Sequence, residues 1–315
     1  MSSRAQRGIC SNEARWPLSR SLAALGMTVV LACRPVPPPA PQPLNWNAGD
    51  SARVAWLDAN GRRMTGEFIE LLAPPAEMSE AWQAALLDSL DRGVAALRRL
   101  VGSHEWQRLG DRPIRYYLVA ERMISHASGN GVVFVSMHHA RSGDAPYLHE
   151  AGHELLAAPR PFFYVEYPDT VQAEAWFQGA PYWLMEGLPD LLAQQAASAA
   201  GTVEGDVFRI GTVEQTDSTC AARLAESPHR ADLLRTMGGR GAVDALFTTD
   251  RAQVAPAFYA CARSMAKFLV EQVGMERAVE LFPAIKSGTW PAELERAAGM
   301  PVAALTAGWR SKLGL

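Results

Sequence analysis

The chain has 315 residues, 48% of them hydrophobic and 20% charged, with a formal net charge of −3. That composition suits a globular body with a real core and excludes a disordered or fibrous chain. No basic cluster with interleaved aromatics occurs, so a nucleic-acid partner is not expected, and no apolar run is long enough to span a bilayer as a mature helix.

The N-terminus reads as an address. Arg4, Arg7, Arg15 and Arg20 precede an apolar run from Leu22 to Ala32, the order of a charged segment and a signal-peptide core. The run ends in Val30-Leu31-Ala32 before Cys33, which resembles a bacterial lipobox with Val30 where leucine is commonest. Residues 1–32 are then a leader with Cys33 lipidated; the alternatives are a plain cleaved signal or a disordered N-terminal tail. Six of the ten residues from Arg34 to Pro43 are proline, so 33–46 reads as a semi-rigid polyproline spacer. The remainder, 47–315, is expected to be exported to a bacterial periplasm or cell envelope, with a lipid at Cys33 as its membrane link. Cys220 and Cys261 are the cysteines left in the body; an oxidising compartment permits their pairing, and two buried thiols are the alternative.

Within the body, "SARVAWLDANGRRMTGEFIELLAP" reads as two short strands around a turn at Ala59-Asn60-Gly61. Next comes a helix capped by Ser79, with an apolar stripe of Trp82, Leu86, Leu90, Val94, Leu97 and Leu100. "PIRYYLVA" from Pro113 and "GVVFVSM" from Gly131 to Met137 are strands. A helix carrying "LHEAGHELL" follows, and from Pro181 onward the chain is mostly helical. One of those helices, "PAFYACARSMAKFLVEQVG", closes at Gly274.

His149 and His153 stand four apart, so on a helix both imidazoles reach one point. Glu150 lies beside them, placed to take a proton from water activated by a metal such as zinc. A catalytic zinc wants a third protein ligand. Two candidates follow, Glu174 and Glu186, and Glu186 is preferred because Asp190, one turn on, can hold the second ring nitrogen of His149.

The pair "HEAGH" and "WLMEGLPD" resembles the gluzincin, thermolysin-like zinc metallopeptidases, whose small bacterial members carry W-x-x-E-G after H-E-x-x-H. The resemblance runs from about Gly66 to the C-terminus. It implies an α+β, zincin-like, two-lobed fold: a strand-containing lobe to about residue 158, a central metal helix and a helical lobe from about 181. It implies one zinc held by His149, His153 and Glu186, Glu150 as general base, and a tyrosine or histidine of the C-terminal half at the oxyanion. Tyr259 is the candidate, with a plain core tyrosine as its alternative, and His229 is the other candidate. It further implies that the strand Gly131–Met137, as an edge strand, pairs with an extended peptide, with His138 and His139 in the loop beyond it. Pro189 departs from the family's usual alanine and suggests a helix beginning near Glu186.

Two rivals exist. "SMAK", Ser264 to Lys267, and "KSG", Lys286 to Gly288, resemble penicillin-binding motifs but lie too close together, with no S-x-N element between them. The absence of G-x-M-E-N points away from an aminopeptidase and toward an endopeptidase acting on peptide or protein substrates. The non-catalytic alternative is a zinc-stabilised binding or scaffolding lipoprotein.

Overall fold

A computed structural model describes residues 48–104, 107, 109–128, 131–156, 181–202, 204–239, 246, 250–287 and 289–315. The leader, Cys33, the proline-rich spacer, Glu174 and Gly288 lie outside the described residues. The fold is α+β, with a five-stranded mixed sheet and mostly helical content. No described helix is long and apolar enough to cross a membrane.

The first segment corrects the sequence reading. Ala48–Asn60 is a helix, α1, and not a strand. Val54 and Leu57, three apart, both bury beneath the sheet with Leu72, Tyr117, Val119, Val132 and Phe134. That spacing belongs to a helix; a strand would turn the two residues to opposite faces. The hairpin begins after it: β1 (Arg62–Thr65) pairs antiparallel with β2 (Ile69–Ala73). Its turn is held by Asp91, whose carboxylate accepts the backbone N–H groups of Glu67, Phe68 and Ile69 at 3.1, 2.7 and 3.1 Å. Asp91 belongs to α2 (Glu80–Val101), which Ser79 caps by accepting the Trp82 N–H at 3.2 Å. Leu86, Leu90, Val94 and Leu97 of the stripe are buried, while Trp82 and Leu100 sit half-buried at its flanks.

β3 (Ile114–Val119) runs parallel to β2 and to β5 (Val132–Ser136). Between them in sequence lies β4 (His126–Ala127), antiparallel to β5, giving the order β1-β2-β3-β5-β4. Here too the sequence reading needs correction: β5 is not at the edge, because β4 covers it. Side chains alternate across the sheet. Tyr116, Leu118, Val133 and Val135 face the main core, and Tyr117, Val119, Val132 and Phe134 face α1.

After α3 (Met137–Ser142), which carries His138 and His139, the helix α4 (Tyr147–Leu156) runs through the middle of the molecule, with nearly every side chain buried. α5 (Tyr182–Ala200) begins four residues before Glu186 and contains Pro189 in its interior. The helix therefore does not start near Glu186, and the proline removes one main-chain hydrogen bond at the cost of about 3 kcal/mol. Pro189 instead packs on α4: a methyl added at Gly152 would lie 3.2 Å from the Pro189 Cβ. On its other side α5 meets α8 (Arg251–Val273), and a methyl at Gly187 would stand 2.2 Å from the Ala262 carbonyl oxygen. Only glycine allows that approach.

α6 (Thr216–Glu226) and α7 (Arg230–Thr236) precede α8, and a Cys220–Cys261 disulfide with Cα atoms 4.7 Å apart joins α6 to α8. α9 (Met275–Glu280), α10 (Phe282–Ser287), α11 (Trp290–Ala298) and α12 (Val302–Lys312) complete the chain. Ser264, fully buried, donates to Asp217 at 2.7 Å and accepts the Trp309 indole N–H at 3.0 Å, and Lys267 pairs with the same carboxylate at 2.8 Å. This serine and lysine pin α6, α8 and α12 together.

Candidate metal centre

α4 is held at both ends by carboxylates, one distant in sequence and one its own. At its start, Glu204 accepts the Leu148 and His149 backbone N–H groups at 2.6 and 3.1 Å. These are first-turn donors with no intrahelical partner, and a negative charge there also suits the helix dipole. Near its end, Glu154 accepts the Gly131 N–H at 2.5 Å, tying the helix to the start of β5. Tyr116 adds a hydroxyl bond to the Tyr147 carbonyl at 3.0 Å. The helix is thus fixed in rotation, and its histidine face is aimed at α5.

The donors converge. His149 Nε2 and His153 Nε2 lie 3.1 Å apart, their rings at 80°. Glu186 Oε2 is 3.5 Å from the first and 3.8 Å from the second. A zinc ion bound at about 2.0–2.1 Å to tetrahedral N and O donors needs them about 3.4 Å apart. Two imidazoles and a carboxylate at these separations fit such an ion. Among the described residues this is the group of three or more ligand-type side chains able to hold a metal. His138, His139 and His229 are not part of it.

The charges follow from this crowding. Burial alone would raise the Glu186 carboxyl, but hydrogen bonds and charge from His149 and His153 outweigh it and hold the group far below the usual carboxylate range. Burial lowers His153, whereas in His149 the bonds to Asp190 and Glu186 overcome burial and raise it. Glu150 is pushed up to about 8, first by burial, with His149 opposing and Glu186 adding to the rise; it also accepts a backbone bond from Ala127. A divalent cation bound beside these groups would oppose that last shift and favour the Glu150 carboxylate.

No family model matches the chain, and no curated protein matches it. The site therefore has to be read from its own geometry.

Asp190, the residue expected to hold His149, has Oδ1 3.7 Å from His149 Nδ1. Its other oxygen lies 3.5 Å from the guanidinium of Arg263, a residue that is fully buried and donates to the Gly211 carbonyl at 2.7 Å. Tyr259 stacks on Phe208 at 4.3 Å, and its ring centre is 6.3 Å from that of His149. Burial first, then the Glu186 charge, keep its phenol protonated well above the ordinary value. Tyr182, one turn before Glu186, bonds to that carboxylate and is likewise kept protonated by burial. Sequence reading missed Glu204, Arg263 and Tyr182. The available signals were a charge inside the apolar run "FYACARSMAKFL" and an i, i+4 spacing of Tyr182 to Glu186; nothing in the sequence pointed to Glu204.

Proposed function

We propose that the chain is a zinc-dependent peptidase of the gluzincin type, an exported enzyme acting on peptide or protein substrates. The observation that carries this reading is the convergence of His149, His153 and Glu186 on one point with Glu150 beside them. A buried sheet on one side of α4 and a helical lobe on the other are the arrangement such a two-lobed enzyme needs. A zinc ion held by the three side chains would polarise the scissile carbonyl and lower the pKa of water. Glu150 accepts the proton of the attacking water and passes it to the leaving amine. Asp190 orients His149 and is itself oriented by Arg263. Tyr259, held protonated, donates toward the oxyanion. The Cys220–Cys261 disulfide supports an oxidising compartment, and the Cys33 leader supports a lipid anchor.

The test is zinc quantitation together with digestion of a peptide library, with and without chelator. A Glu150→Gln variant should keep one zinc per chain and lose hydrolysis. Cleavage that survives zinc removal, or zinc-loaded protein that cleaves nothing in the library, refutes the proposal.

A further inference from the structure

The strand β4 is two residues long and lies at the rim of the sheet, beside Glu150. Ser128 N–H bonds to the Val132 carbonyl at 2.9 Å, and pairs alternate along an antiparallel ladder. Ala127, opposite Val133, is therefore in a non-hydrogen-bonded pair, and its N–H and C=O point away from β5: the N–H is donated to Glu150, and the C=O faces the same outer side. So short a ladder cannot hold its own position.

The support comes from the opposite face of the sheet. His126 points toward α1, its ring stacked on Phe134 at 5.0 Å and its Nε2 3.1 Å from Asp50 Oδ2. Asp50 is 2% exposed, and its other oxygen accepts from Arg53 at 2.9 Å. Arg53 also lies 3.5 Å from Glu121 in the segment leading into β4. The His126 Nδ1 faces the Ile124 carbonyl at 3.2 Å. Both ring nitrogens thus lie within reach of an oxygen, and a carboxylate buried this deeply requires its hydrogen-bond partners. α1 clamps β4 through Asp50, from the side away from the metal centre.

We infer that Asp50 and His126 are positioning residues for an extended peptide, holding β4 so that the outward carbonyl of Ala127 can meet a substrate strand next to Glu150. This rests on the peptidase reading above. Main-chain pairing of this kind is β-augmentation, and it reads backbone rather than side chains.

The experiment compares the zinc-loaded full chain with Asp50→Asn, His126→Gln and the double variant. Each is assayed on a peptide extending several residues either side of the scissile bond and on a blocked substrate spanning that bond alone. For the long peptide each single variant should raise KM about tenfold with kcat within about twofold, the double no more than either single, and the short substrate should be unaffected. In a Glu150→Gln background, the same changes should weaken binding of the uncleaved long peptide by the same factor. Zinc content should not move; the thermal midpoint should fall in each variant because a buried partner is lost, so the split between long and short substrates, and not stability, is the readout. A KM unchanged for the long peptide, effects that add in the double variant, or equal losses on both substrates overturn the inference while leaving the peptidase reading intact. A wild-type chain that cleaves neither substrate overturns both.

Discussion

The buried guanidinium of Arg263 gives the sharpest test of how the metal centre is supported. Replacing it by methionine keeps much of the volume but leaves the Asp190 carboxylate, whose side chain is 15% exposed, with only a distant contact to His149 at 3.7 Å. Removing one partner of a buried ion pair costs about 3–5 kcal/mol. Because Asp190 keeps some solvent access, the lower end applies, about 3 kcal/mol, and for a domain of this size that lowers the midpoint by roughly 6–12 °C. Thermal unfolding of the chelated protein measures this loss without interference from bound metal. The double variant Arg263→Met/Asp190→Asn removes both charges and should recover at least about 1.5 kcal/mol of the loss. In the zinc-loaded form, Arg263→Met should also weaken zinc about 10- to 100-fold, read by competition with a chromogenic chelator. If Arg263→Met unfolds within about 2 °C of the wild type, or the double variant is no more stable than the sum of the singles, then Arg263 does not support Asp190 as described.

Gly187→Ala sets a helix-propensity gain of about 1 kcal/mol against overpacking of about 1–3 kcal/mol. The clash is with backbone at 2.2 Å, which cannot swing away, so urea unfolding should show a net loss of about 1–2 kcal/mol. Asp217 is raised by burial but lowered further by hydrogen bonds from Lys267, Ser264 and Lys312, ending below its ordinary value of 3.8. A depressed folded-state value stabilises above pH 3.8 and the contribution vanishes as pH falls through the folded value. Asp217→Asn should therefore flatten the acid limb of the stability curve while leaving its shape above pH 5 unchanged, as followed by circular dichroism. Replacing both Cys220 and Cys261 by serine opens a loop closed across 41 residues and should cost about 2–4 kcal/mol in denaturant unfolding, matched by the reduced wild type.

The parts of this molecule legible in its sequence are those encoded over one or two helical turns. The α2 stripe, the Ser79 cap, the central strands and the spacings 149–153 and 186–190 need only local periodicity to be read. What escaped was set by tertiary partners. α1 presents just two core residues, Val54 and Leu57, beside an exposed Trp56, a pattern too sparse to separate helix from strand. β4 has two residues and no alternation to display, so it left β5 looking like an edge. Pro189 argued for a late helix start by local rules, yet it is accommodated because Gly152 leaves room against α4. Glu204 caps a helix that begins 57 residues before it, and no local rule connects such a pair.

The brevity of β4 has one more consequence. A sheet rim with open main-chain donors and acceptors is a template on which other copies of a protein can stack without limit. Two residues, bracketed by Ser125 and Ser128, supply too few bonds to start such a stack, the more so because the Ala127 N–H is given to Glu150, yet the Ala127 carbonyl can still meet a visitor that other contacts hold in place. The molecule can keep one open berth and remain a poor seed for its own polymerisation.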